Sequence, residues 1–187
     1  ITAGNGALYA CRNSDYYDFD TIEGHDIAMP LYYALQGKRA IFNSDAVAYE
    51  KAGEVVEDEF KRKVRMNRII LKYILPDIRI LNFFKYRWFT YFYLGHRTCR
   101  YLLWLSHLIF LLSNTIIINE HWLYLLVFII QGLFYILALF KVILKINNPI
   151  INLIYYYCVT LLAQWVGVYN ILTGKTKPFW EKAESTR

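Results

Sequence analysis

The run WLYLLVFIIQGLFYILALFKVIL, residues 122–144, decides what kind of protein this is. It holds one charge, Lys141, in 23 residues. As a helix it would cover about 34 Å, against about 30 Å of hydrocarbon in a bilayer. Apolar segments flank it at about 101–118 and 150–172, each near the length of about 20 residues a span requires. The expected C-terminal region is therefore a transmembrane bundle over 101–187, with two or three spans and a short basic tail.

The rest of the chain differs in charge. Residues 1–60 carry a balance of −7, residues 61–100 one of +10, and residues 101–187 one of +3, giving the net +6. Hydrophobic residues make up 57% of the 187, above the roughly 45–50% of globular chains. The basic belt stands directly before the first apolar segment, where anionic headgroups are the natural counter-charge. Its bases are interleaved with bulky rings (Phe83, Phe84, Tyr86, Trp88, Phe89, Tyr91, Phe92), which argues against a nucleic-acid surface. Residues 71–100 are expected to lie in the headgroup plane as an amphipathic interface segment, broken near Pro76. Cys11, Cys99 and Cys158 show no metal or disulfide spacing.

Sidedness is only partly legible. Asn119-Glu120-His121 lacks Lys and Arg, so it is expected on the far side, with Lys141, Lys145, Arg97 and Arg100 on the near side. A spanning third segment would then carry Lys175, Lys177, Lys182 and Arg187 to the far side, against the positive-inside preference. A true span, a re-entrant segment and a rule-breaking tail all remain open.

Residues 1–70 read as an α/β layer. A helix fits 27–36, with Asp26 as its N-cap, Pro30 in the first turn and Gly37 as the stop. Lys38–Phe42 and Ala46–Tyr49 read as short strands around the turn Asn43-Ser44-Asp45. A second helix fits 55–68, with Val56, Phe60 and Val64 on one stripe.

Three groups in this layer could carry chemistry. Asp26 is in the first instance a cap, but at the mouth of a sheet it could take a proton from a hydroxyl. Arg62 and Arg65 share a helix face; a solvated basic face is the plain reading, a clamp on a diphosphate the sharper one. Gly4-Asn5-Gly6 is a turn that would let a ligand approach the backbone. His107 is expected within a span facing a helix neighbour, and Asn114, Gln131 and Gln164 are expected to join helices.

Taken in order, these segments resemble the C-terminal half of membrane-bound family-2 glycosyltransferases, the group of cellulose, hyaluronan and poly-N-acetylglucosamine synthases. Gly4-Asn5-Gly6-Ala7-Leu8-Tyr9-Ala10-Cys11-Arg12 resembles the acceptor-side loop, His25-Asp26 the acidic pair, and Arg62 to Met66 the motif Gln-x-x-Arg-Trp. Asp45 to Glu50 and Trp180-Glu181-Lys182 fall in the family's order. The resemblance implies a partial GT-A domain over 1–70 and inverting transfer from a nucleotide sugar to a glycan or lipid acceptor. It implies Asp26 as general base, Gly4, Gly6 and His25 on the acceptor, and Arg62 and Arg65 on the diphosphate. It also implies a divalent metal, Mg or Mn, in the full-length enzyme, with its ligands and the nucleotide-binding half absent from this chain, which alone would be inactive. The expected site is the bacterial inner membrane, with residues 1–100 cytosolic. His25 replaces the first acid, and Arg62 and Met66 replace Gln and Trp, which points away from long-polymer synthesis. The rival expectation is a non-catalytic membrane anchor or assembly subunit with a degenerate cytosolic cap.

Overall fold

A computed structural model describes residues 4, 6, 8–20, 22–49, 56–75 and 77–176. Its regular structure among these residues is helical: α1 His25–Leu35, α2 Val56–Met66, α3 Ile70–Ile74, α4 Phe83–Tyr86, α5 Trp88–Tyr93, α6 Cys99–Tyr101, α7 Leu103–Ile117, α8 Trp122–Leu144 and α9 Pro149–Leu172. No β-strand forms among the described residues. The expected α/β layer is thus corrected to a helical cap, and no partial GT-A sheet is present among the described residues. The reason lies in pairing. A strand needs a ladder partner for its backbone groups, and among the described residues neither Lys38–Phe42 nor Ala46–Tyr49 is part of a ladder. Ile41 and Phe42 are left 80% and 78% exposed, instead of being buried on the face of a sheet.

The helical expectations fare better, with shifted ends. α1 starts at His25, its N-cap is Gly24 with no side-chain cap, and Asp26 is the second helical residue. Gly37 stops the helix in the left-handed region at φ 78°, a conformation that costs glycine little. α2 falls inside the expected 55–68, with Phe60 and Val64 partly buried and the side chain of Val56 outside the described residues. Asn67 then turns the chain, its Nδ2 donating to the Lys63 carbonyl at 2.8 Å.

The interface segment is a chain of short helical pieces, and the expected break at Pro76 lies outside the described residues. α5, a π-helical stretch over 94–98 and α6 run on continuously. Their hydroxyls cover carbonyls at the end of α3: Tyr93 Oη donates to Tyr73 O at 3.1 Å and Thr98 Oγ1 to Ile74 O at 2.7 Å. Helix ends leave such carbonyls without an intrahelical partner, so these bonds fix the segment against α3. Between α4 and α5, Arg87 adopts φ 49° and ψ −124°. A non-glycine residue held there costs of order 1–3 kcal/mol.

Among the described residues, two helices are long and apolar enough to cross a membrane: α8, with mean hydropathy 2.5, and α9, with 1.4. α9 begins on Pro149 behind Asn148, whose Oδ1 accepts from the amides of Ile150 and Ile151 at 2.9 and 3.4 Å, a capped start with proline where no donor is needed. The first expected span is different. α7 has 15 residues, about 22 Å of helix, and meets the preceding helical run Trp88–Tyr101 at a 62° bend. Within the bundle, Gln164 joins helices as expected, donating to Arg100 O at 2.9 Å and accepting from Trp104 N at 3.2 Å. His107 lies between Tyr135 Oη at 2.8 Å and Tyr157 Oη at 2.9 Å.

Cap and bundle share one core. Ile69, Ile70 and Tyr73 pack with Tyr101 of α6 and Val168 of α9, and Ile22, Ile27, Trp104 and Ile171 close around them. Gly167 permits a close approach of backbone to backbone: a Cβ there would stand 2.7 Å from Asn67 Cβ and 2.8 Å from Asn67 O.

Candidate functional site

The site begins with a missing hydrogen bond. Pro30 lies inside α1, and proline has no N–H to give the carbonyl four residues earlier. That carbonyl belongs to Asp26. The amide of Gly4 donates to it instead, at 2.6 Å. The N-terminal loop is thereby drawn onto the first turn of α1, where three glycines approach Asp26 closely and Gly24 leaves no room for a Cβ. A Cβ at Gly4 would stand 3.3 Å from Asp26 O, one at Gly6 3.5 Å from Asp26 Oδ2, and one at Gly24 2.8 Å from Asp26 Oδ1. The half-buried Asp26 carboxylate is walled by glycine backbone.

The loop before α1 is pinned from the other side. Arg68 Nε donates to Ile22 O at 2.9 Å, Lys72 pairs with Glu23, and Gly24 N–H donates to Tyr73 Oη at 3.4 Å. Burial pushes the Tyr73 phenol up to about 12, opposed by the Gly24 hydrogen bond; Tyr101 and the charge of Asp26 raise it further, and Arg68 lowers it. The hydroxyl therefore stays protonated at neutral pH, held between Gly24 and the α2–α3 junction.

No protein-family model, curated protein or solved structure matches the chain.

Asp26 and His25 open onto a cleft of about 820 Å³, lined also by Gly4, Arg12, Tyr33 and Arg39. One wall is braced by Asp15, whose carboxylate pairs with Lys38 at 2.8 Å and whose carbonyl accepts from Tyr33 Oη at 3.0 Å. His25 sits against the rings of Tyr16 and Phe19, with centroids 6.2 and 5.7 Å away, which orients its imidazole along the cleft wall.

Of the residues expected from sequence, the structure brings together Gly4, Gly6, His25 and Asp26. Arg62 and Arg65 are elsewhere. Arg62 forms a two-pronged bond to Glu59, at 2.7 and 2.9 Å, and this bond holds the Glu59 carboxyl below its usual range. Arg65 is pulled down by burial and by the neighbouring Arg62 and Arg68. Neither lines the cleft with Asp26. The guanidinium tied to the Asp26 loop is that of Arg68, and those lining its cleft belong to Arg12 and Arg39. Sequence reading missed Tyr73, and it placed Arg12 in the acceptor-side loop and Gly24 beside His25-Asp26 without giving either a role. The spacing of Asp26 and Pro30 was the available signal, because it leaves the Asp26 carbonyl open to the glycine loop.

The described residues contain no group of three or more His, Cys, Asp or Glu side chains able to hold a metal ion. These residues offer no donor set for the implied divalent ion.

Proposed function

We propose that this chain is the base-bearing, membrane-embedded part of an inverting glycosyltransferase, with Asp26 as the general base. The observation that carries the reading is the Asp26 carboxylate in an 820 Å³ cleft whose near wall is glycine backbone. Such a wall admits an acceptor hydroxyl to hydrogen-bonding distance of the carboxylate, as a general base requires. Asp26 would take the proton of that hydroxyl. The freed oxygen would bond to the anomeric carbon as the bond to the departing diphosphate oxygen breaks, inverting that carbon. Arg12, on the same cleft, replaces Arg62 as the guanidinium suited to the diphosphate charge. The absence of a sheet among the described residues means that the reading rests on this site and on the two long apolar helices, and not on fold.

The test is Asp26→Asn in the native protein, reconstituted in lipid and offered radiolabelled nucleotide sugars. General-base catalysis contributes about 10²–10⁴ in rate. A loss of at least about 100-fold, with unchanged thermal unfolding, is expected. Transfer at the unaltered rate would remove Asp26 from the chemistry and leave a non-catalytic membrane module as the better description.

A further inference from the structure

A second cleft, of about 1220 Å³, lies between the end of α1 and the α4–α6 segment. Its charge is one-sided. Among the described residues, Lys38, Arg39, Lys85, Arg87, Arg97 and Arg100 line it, with His96 and no Asp or Glu. Three of these bases are already engaged: Lys38 with Asp15 at 2.8 Å, Lys85 over the Tyr86 ring at 5.3 Å, and Arg97 with Tyr101 Oη at 3.2 Å. Arg39, Arg87 and Arg100 are exposed and have no side-chain bond to a described residue. Arg87 is also the residue held at φ 49° between α4 and α5.

Unpaired guanidinium groups facing one cleft repel one another and disfavour the arrangement unless an anion joins them. Arginine presents parallel N–H donors that match phosphate oxygens. The rim identifies the source of that phosphate. Trp88 is 67% exposed and Phe84 93%, and Trp88 stacks on Phe92 with centroids 6.0 Å apart. Exposed Trp and Phe beside bases mark a membrane–water interface, and the chain passes directly from Arg100 into the apolar α7.

We propose that this cleft seats the phosphate of an anionic phospholipid, with Arg39, Arg87 and Arg100 as its donors and the Trp88–Phe92 rim against the acyl chains. This site shares Arg39 with the Asp26 cleft, but lipid binding does not rest on the chemistry proposed for Asp26.

The test uses the full chain in a neutral detergent, with soluble dihexanoyl phosphatidylglycerol, dihexanoyl phosphatidylcholine and inorganic phosphate as probes, followed by ligand-induced tryptophan fluorescence. Phosphatidylglycerol is expected to bind at least about tenfold tighter than either other probe, with affinity falling as salt rises. Arg87→Gln and Arg100→Gln should each weaken it by about tenfold, the worth of one charge-assisted bond. Arg39→Gln, on a different segment, should give the same loss. Arg79→Gln, whose side chain is held by Asp77 at 2.6 Å outside the cleft, should change nothing. Equal affinity for the two lipids, or phosphatidylglycerol binding unmoved by all three cleft variants, would overturn the proposal. Inorganic phosphate binding as tightly as the lipid would overturn it in favour of a free-anion site.

Discussion

The tight crossing at Gly167 gives the sharpest test of how cap and bundle are joined. In Gly167→Ala the new methyl would stand 2.7, 2.8 and 3.2 Å from the Cβ, O and C of Asn67. Carbon atoms pack at about 3.5–4.0 Å, so the two segments must part by nearly 1 Å. Two of the three obstructing atoms are backbone, and the third is a Cβ fixed to it, so no rotamer change relieves the clash. Overpacking of this kind costs about 1–3 kcal/mol. Against it stands the helix preference of Ala over Gly, about 1 kcal/mol. Gly132→Ala on α8 isolates that second effect, because nothing lies within 4 Å of its Cβ position. The difference between the two variants is then the steric cost alone, about 1–3 kcal/mol. The assay is thermal unfolding in detergent, with hydrogen exchange read at residues 63–73. Gly132→Ala should leave exchange there unchanged, and Gly167→Ala should speed it about 5- to 150-fold. Equal behaviour of the two variants would refute the docking of the α2–α3 junction on α9.

Pro30→Ala should strengthen α1 by up to about 3 kcal/mol while freeing Gly4, because the N–H restored at that position would reclaim the Asp26 carbonyl. Unchanged exchange protection at the Gly4 amide would show that the proline does not hold the loop. For Tyr73 the folded phenol titrates near 12 against an ordinary 10.0. Its contribution is therefore intact below pH 10 and lost as pH rises from 10 to about 12, where the unfolded chain ionises first. Tyr73→Phe should flatten the alkaline stability curve in that window, and a curve identical to wild type would contradict the burial of this hydroxyl. Arg68→Ala removes a charge-assisted bond worth about 1.5–3 kcal/mol from the Ile22 carbonyl, so protease cleavage within 20–24 should accelerate.

Legibility from sequence followed the range of the interactions. The two long apolar helices were plain in composition, because crossing a bilayer is a property of a segment by itself. The ends of α1 were nearly right, since Gly37 and Pro30 act within a turn. The strands failed because a strand is a property of two segments, and alternation over Lys38–Phe42 cannot report whether a partner exists. The site divided in the same way. Gly4, Gly6, His25 and Asp26 were legible because a helix start and a glycine turn are local signals. Arg62, expected on the diphosphate, is instead bonded to Glu59 three residues away and does not line the Asp26 cleft, a local competition that helix spacing alone does not reveal. Arg68 and Tyr73 reach the site across 46 and 49 residues of chain, and nothing in the intervening sequence announces that contact.

The contacts also bear on the conflict over the third apolar segment. The later half of α9 packs on the cap, through Gly167 with Asn67 and Val168 with Ile70 and Tyr73. The end of α9 and the cap therefore share a side of any bilayer that holds the α8–α9 hairpin. α7 meets this hairpin in an informative order. Trp104 lies against Gln164 and Trp165, late in α9. His107 reaches Tyr135 and Tyr157, midway along both helices. Asn114, with its amide turned to match its neighbours, bonds the backbone of Tyr124 and Phe128, early in α8. Late α9 and early α8 form the same end of the hairpin, so α7 enters and leaves at that end. Its 15 residues and the 62° bend before it fit a re-entrant helix better than a span. A bilayer crossed by α8 and α9 alone would then hold Asn119–His121 on the side of the cap and Lys145–Asn148 on the other, an order opposite to the one lysine counting leads one to expect. Single cysteines at Glu120 and Asn147, in a background lacking Cys11, Cys99 and Cys158, test it with a membrane-impermeant maleimide on oriented vesicles. Glu120→Cys should label together with a cysteine at Lys175, and Asn147→Cys from the other face; labelling of positions 120 and 147 from one face would defeat the two-span arrangement.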